Sequence, residues 1–237
     1  MSPLAVDVLS FSALADFWAC PRLYHYRHDL KLPSPGRSTE ERRQGSWIHA
    51  QLDLHAEGLT PPMASDPEHA PQWQAYLAAI APYTGLPMHS EWACHLPITV
   101  ADTALWLHGR MDRIYQQGDS LILLDFKTGT GRSEALTALQ LDFYAWLLWQ
   151  AQDLLAERPL SQIIARAIWL RDPAQPLERR LDAERLPQTE SQFRALLSAL
   201  ISSGQRDVPA PRSVDGKPWC TMCEYQRLCP EGIHHAD

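Results

Sequence analysis

Along this chain the spacing of apolar residues switches between two periods. Residues 39–57, TEERRQGSWIHAQLDLHAE, recur at helical intervals, with Trp47, Ile48, Leu52 and His55 near one face, and a shorter helix is expected around 72–81. The period then falls to two: 89–100 (HSEWACHLPITV), 103–115 and 120–128 (SLILLDFKT) read as three strands, the last two joined through QQGD (116–119). The longest helical pattern follows at 133–157, with Leu136, Leu139, Gln140, Phe143, Tyr144, Leu147 and Leu148 in register. A strand at 161–170 comes next, with a segment at 177–182 that can pair back and a final amphipathic helix at 184–202. At the front, Ser10 or Ser12 can cap a short helix that Pro21 restarts after Cys20. LPSPG (32–36), TPPMASDPEHAP (60–71) and VPAPRSVDGKPW (208–219) are connections. Helix, three strands, helix and strand predict an α/β fold with a mixed sheet.

Within that pattern 120–128 is anomalous. Leu121, Leu123, Asp125 and Lys127 share one face, and Ile122, Leu124 and Phe126 the other. Two apolar faces predict a central strand whose charged end emerges at the edge of the sheet. The hairpin can bring Asp112 of GRMD (109–112) beside Asp125. Two carboxylates that close repel unless a cation lies between them, and an all-oxygen site suits Mg²⁺ or Mn²⁺. The plain alternative is an Asp–Lys pair on an exposed strand end. Two helices supply companions: Gln140 and Tyr144 lie four apart in QLDFY (140–144), as do Gly45 and His49 in GSWIH (45–49). Packed helix faces are the alternative reading of both.

Composition adds limits rather than identity. The 237 residues are 45% hydrophobic and 21% charged, as expected of a chain able to bury a sizeable core. A net charge of −7 excludes a protein that coats nucleic acid through a broad basic surface, but not a site that meets phosphate through metal ions. The first residues carry Asp7 and Asp16 and no basic stretch, and YAWLLW (144–149) is too short to span a bilayer. A cytoplasmic protein without membrane contact is expected.

GSWIH, GRMD, LLDFKTG and QLDFY, in this order and on these elements, resemble the RecB-type branch of the PD-(D/E)xK nuclease superfamily over about residues 10–230. The resemblance implies a restriction-endonuclease-like αβββαβ core flanked by helices. It implies that His49, Asp112, Asp125 and the Phe126 carbonyl hold Mg²⁺ or Mn²⁺. Lys127 would orient or activate the attacking water, and Gln140 and Tyr144 would position Lys127 and the DNA backbone. Glu91 is an optional acidic contributor whose favoured reading is a surface residue. Phosphodiester hydrolysis needs an activated water and stabilised phosphoryl oxygens, and bound metal ions supply both.

Cys220, Cys223 and Cys229 form C-x₂-C-x₅-C in CTMCEYQRLCP (220–230), and Cys20 of CPRLYHY (20–26) is the candidate fourth thiolate. On ligand chemistry a Cys₄ zinc site and an iron–sulfur cluster are both allowed. With the nuclease motifs, the pattern resembles the iron–sulfur CRISPR-associated RecB-like exonucleases and AddB-type nuclease domains. That implies a [4Fe–4S] cluster on these four residues. Chain segments 10–31 and 205–237 would then pack together within a single domain spanning 1–237. Cys94 reads as a small core residue. Arg22, Tyr24, Tyr26, Arg27 and Lys31, with Arg42 and Arg43, could line a DNA path or form a solvated helix face.

The function expected from the resemblance is a metal-dependent DNA exonuclease acting on single strands or DNA ends, in CRISPR adaptation or in repair. Its partners would be adaptation or helicase–nuclease components. The chain has no G-x-x-x-x-G-K-[ST] and hence no phosphate-binding motor loop. The rivals are a DNA-binding subunit with weak or partner-dependent cleavage and a zinc-stabilised nuclease.

Overall fold

The computed structural model describes residues 8–33, 39–83, 85, 87–129, 133–155, 159–203, 213–214 and 217–233. Parts of the sequence-predicted loop at 32–36, of the glycine break after Lys127 and of the segment 205–237 lie outside these residues. The chain runs β1 (Val8–Ser10), α1 (Phe11–Ala19), α2 (Pro21–Tyr24), α3 (Thr39–Ala56), α4 (Ala70–Ile80), β2 (His89–Val100), β3 (Thr103–Gln117) and β4 (Ser120–Lys127). It continues through α5 (Glu134–Gln150), α6 (Gln152–Leu155), β5 (Gln162–Trp169), β6 (Leu177–Asp182), α7 (Leu186–Ser202), β7 (Ser213–Val214), β8 (Lys217–Pro218) and α8 (Pro230–Ile233). A π-helical turn, His25–Asp29, extends α2.

Local chemistry sets the ends of these elements. Ser10 caps α1, its hydroxyl accepting from the Ala13 amide at 3.3 Å. Cys20 is extended, and Pro21 then begins α2, where its missing N–H has no intrahelical partner to lose. Ser133 caps α5 through the Leu136 amide at 3.4 Å. Gly118 takes a left-handed φ of 62° at the tight turn where Gln117 pairs with Ser120.

The six-stranded sheet has the order β1-β3-β4-β5-β6, with β2 also paired to β3. The β2–β3, β3–β4 and β5–β6 pairs are antiparallel, and β1–β3 and β4–β5 are parallel. The fold is mixed α/β with helices on both sides of the sheet, as the sequence predicts. The parallel β4–β5 step requires a long crossover, which α5 provides.

β4 is central and both of its faces are buried. Leu121 and Leu123 join one core with residues of α1, α5 and α7. Ile122, Leu124 and Phe126 join a second core with Ile48 and Leu52 of α3 and Trp73 and Tyr76 of α4. Burying each such side chain contributes about 1.5–3 kcal/mol. α5 differs from expectation: Thr137, Leu139, Leu141, Phe143, Tyr144, Ala145 and Trp146 are all buried, so it is enclosed on most sides rather than amphipathic. Trp47 also departs from the expected buried face of α3; it is 37% exposed and packs on His69.

One irregularity bends the β2–β3 ribbon near the end of β4. Along β3 the residues facing the α5 core are Leu105, Leu107 and Met111, and then Ile114, three residues on rather than two. Across the antiparallel register Glu91 stands opposite Asp112, between the pairs Ser90–Arg113 and Trp92–Met111, and has a left-handed φ of 47°. Both strands change faces at the same place.

Candidate active site

The end of β4 opens into a cleft of about 810 Å³. His49 from α3, Asp112 from β3, Asp125, Phe126 and Lys127 from β4, and Gln140 and Tyr144 from α5 all line it. The structure therefore brings together every residue of the sequence-predicted catalytic set. Gly45 has a part in this: a Cβ there would stand 3.0 Å from Thr128 Oγ1, so glycine lets α3 lie close against the end of β4.

Asp125, Lys127 and Gln140 form a closed triangle. Lys127 Nζ is 2.7 Å from Asp125 Oδ2 and donates to Gln140 Oε1 at 2.5 Å. Gln140 Nε2 donates to Asp125 Oδ1 at 3.2 Å. The two neighbours fix the amide orientation, its oxygen toward the ammonium and its nitrogen toward the carboxylate. Asp125 is 5% exposed, and its pKa is raised by burial above all, opposed by Lys127 and reinforced by Asp112. Its Oδ2 contacts Lys127 as an ion pair but has no aligned hydrogen-bond donor.

Asp112 lies one step beyond the Arg113–Leu124 pair of the β3–β4 ladder. Its Oδ2 accepts from the Phe126 amide at 2.6 Å. Burial alone would raise its pKa, but the hydrogen bond and charge of His49, the Phe126 amide and Lys127 outweigh burial and lower it. His49 Nδ1 is 3.4 Å from Asp112 Oδ1 and 3.5 Å from Glu91 Oε1. Burial works against its charge, yet the two carboxylates push its pKa up to about 10. The protonated ring thus supplies positive charge between two carboxylates, and ligation of a metal would require the neutral ring.

The donor set fits a hard cation. One ligand atom from each of His49, Glu91 and Asp112 can be chosen so that all three lie within 4.8 Å of one another. The buried, unaligned Oδ2 of Asp125 adds a further oxygen, and these are the donors that Mg²⁺ and Mn²⁺ take. Here Glu91 departs from its favoured sequence reading: it is not a surface residue. Its side chain is 14% exposed and is held by Arg110 Nε at 2.6 Å. The left-handed φ that points Glu91 into the cleft leaves no trace in composition or period, and such strain in a non-glycine residue is characteristic of functional sites.

Two arginines were also missed. Arg110 lines the cleft and is 66% exposed. Arg113 is fully buried and donates to the Asp112 carbonyl at 2.6 Å, to the Leu52 carbonyl of α3 and to Ser90 Oγ. It therefore ties the helix that bears His49 to the strand that bears Asp112. The spacing of GRMDR, two cations flanking an acid within a strand, was the available signal. Tyr144 is buried. Burial, then the charge of Asp125, raises its phenol, which interacts with Gln140 and the Arg110 backbone.

Apart from the cleft residues, Cys20, Cys220, Cys223 and Cys229 line one small cavity. Burial raises the thiols of Cys20, Cys220 and Cys223, the last to about 11, and each of the three is raised further by neighbouring cysteines. A cationic centre is what would let such thiols ionise together, so the set fits a four-thiolate group. Arg22 donates to Cys229 Sγ at 3.8 Å and pairs with Glu231. Arg27 bridges Asp16, at 2.6 Å, to Glu224, and Tyr225 Oη donates to the Leu32 carbonyl at 2.9 Å. Tyr24 packs edge-on against Phe17, and Tyr26 against Tyr225. Of the suggested DNA-lining residues, Arg22, Arg27 and Tyr26 are thus engaged in joining the two ends of the chain, while Tyr24 packs within the first segment. Cys94 is buried in the α5 core, as expected.

Among the described residues no helix is long and apolar enough to cross a membrane. A search of the curated proteins finds no match. Among solved structures, the protein SSO0001 is similar over 97% of this chain and 89% of its own, with a TM-score of 0.50 and 17% identity. A protein from Eubacterium rectale described as a candidate exonuclease is similar over 97% and 88%, with a TM-score of 0.51 and 11% identity. At such identities the likeness is one of fold. Residues 8–230 match the family model described as the PD-(D/E)XK nuclease superfamily.

Proposed function

Since the chain belongs to the PD-(D/E)XK nuclease superfamily, we propose that it is a Mg²⁺- or Mn²⁺-dependent deoxyribonuclease, an exonuclease acting on single-stranded DNA or DNA ends. The observation that carries this reading is the Asp125–Lys127–Gln140 triangle beside the His49, Glu91 and Asp112 donors in one open cleft. The description of the Eubacterium rectale protein agrees with it.

His49, Asp112, Asp125 and the Phe126 carbonyl hold the metal, with Glu91 as a further ligand. When bound, the metal lowers the pKa of its water and neutralises charge on the phosphoryl oxygens. Lys127 is fixed at its Nζ by two partners, so it meets the attacking water and the phosphate with little freedom to lose. Gln140 keeps Lys127 and Asp125 apart in angle while joining them, and Tyr144 supports Gln140. Arg110, exposed at the rim, is placed to meet the substrate's backbone charge. The four cysteines hold a [4Fe–4S] cluster that fastens the chain ends. The cellular setting proposed is CRISPR adaptation or DNA repair, with nuclease-complex partners to match.

The test is anaerobic purification, iron and sulfide analysis, and incubation with end-labelled single- and double-stranded DNA and Mn²⁺. Cleavage is expected, with Asp125→Asn and Lys127→Ala each lowering kcat by about 10²–10⁴-fold. Equal cleavage by either variant would sink the catalytic assignment. Zinc in place of iron would remove the cluster and leave the nuclease.

A further inference from the structure

The β2–β3 ribbon carries a surface of which the catalytic reading uses only Arg110. Beyond the change of face at Glu91 and Asp112, Arg110, His108 and Trp106 lie on one side of β3, opposite the core that takes Leu105, Leu107 and Met111. Arg110 is 66% exposed and Trp106 39%. His95 of β2 stands directly across from His108, their rings 4.5 Å apart and tilted by 34°. On the other side Trp106 pairs in register with Val8 of β1, itself exposed. The chain has 28 acidic residues against 21 basic. Yet none of the positions on this face, 93, 95, 97 and 99 of β2 or 104, 106, 108 and 110 of β3, is acidic.

The chemistry of the face is a cation followed by flat rings. Burial, and then the charges of His95 and Arg110, lower the His108 pKa, so its ring is neutral at neutral pH and offers a π face. Arg110 links the surface to the cleft, since it lines that cleft and pairs with Glu91 there. From Arg110 to Trp106 is about 13 Å along the strand, room for a short run of nucleotides. Cations tracking a backbone and rings under its bases are how proteins hold single strands without reading sequence.

We propose that this face is the track on which a single-stranded nucleic acid lies where it leaves the cleft, passing Arg110 first and stacking bases on His108 and Trp106. The proposal rests on the nuclease reading above. It is tested by comparing two substrates, an oligothymidylate longer than the face and the p-nitrophenyl ester of thymidine 5′-monophosphate, which reaches only the cleft. The double variant Trp106→Ala, His108→Ala is expected to raise KM for the oligomer about 5- to 50-fold and leave turnover of the ester unchanged. Trp106→Tyr should retain wild-type KM. An unchanged oligomer KM in the double variant overturns the proposal, as does an unchanged KM with an altered oligomeric state on gel filtration, which would make the face a contact between copies. A wild type that cleaves neither substrate would count against the nuclease reading instead. Fluorescence anisotropy of labelled oligothymidylate on Asp125→Asn, with and without Trp106→Ala, would still decide the track. Weaker binding is expected with Trp106→Ala, and equal binding overturns it.

Discussion

Gln140 meets a carboxylate and an ammonium with the two ends of one amide. Gln140→Leu removes both contacts and leaves the pair to reorient. The expected cost is about 1–3 kcal/mol of stability by chemical denaturation, with a larger relative loss in kcat than in stability. Glu91 poses a different trade. Its left-handed φ costs of order 1–3 kcal/mol and persists because the surrounding pairs hold it. Glu91→Gly relieves that strain but gives up the Arg110 and His49 pairs and loosens the unfolded chain, so the metal-free protein should shift by less than about 1 kcal/mol in a thermal melt while Mn²⁺ binding weakens by roughly 10-fold or more in calorimetry. If it weakens neither metal binding nor activity, Glu91 is not a ligand. The sequence was readable for Asp125, Lys127 and Gln140 because each side chain sits at a definite strand or helix position. Glu91 was not, since its direction depends on a backbone angle that the alternation of residues conceals.

Secondary elements carry these side chains, and two contacts set their spacing. A Cβ on Gly109 would stand 2.8 Å from Leu147 Cδ1 and 3.2 Å from the Tyr144 ring. Gly109→Ala thus pushes α5 away from β3, with an expected loss of about 1–3 kcal/mol and a further loss of activity, because Gln140 and Tyr144 ride on α5. Arg113→Ala should cost about 2–4 kcal/mol in urea unfolding, since it leaves the Leu52 and Asp112 carbonyls without their donor. On β6, Glu178 joins Arg166 at 2.6 Å and Arg180 at 2.8 Å. Burial would raise its pKa, but these two arginines outweigh burial and lower it. A lowered folded pKa contributes stability above the ordinary value of 4.5, lost as pH falls through the folded value. Solvent screening limits the contribution to below about 1 kcal/mol, and the gap between wild type and Glu178→Gln should close in acid. Most helices and strands were legible from period alone. β1 was not: it has three residues, and its partner lies about a hundred positions away in β3. The enclosure of α5 was also hidden, because a helix buried nearly all round still shows a heptad-like apolar face.

At the scale of the molecule, the cleft sits where α3, the β2–β3 ribbon, β4 and α5 converge, while the four cysteines gather the first and last parts of the chain. Cysteine count and spacing made that gathering readable; the Arg22–Glu231 and Arg27–Glu224 pairs beside it were not, because nothing local selects among many charges. Any group that ligates Cys20 together with Cys229 closes a loop whose ends are 209 positions apart, taken as the difference of the two numbers. Closing a loop that long removes about 5 kcal/mol worth of disorder from the unfolded chain, nearly the full length of which is then confined. Such a bond would then act chiefly on a state in which no cleft exists, raising the free energy of the open chain rather than tightening any contact in the fold.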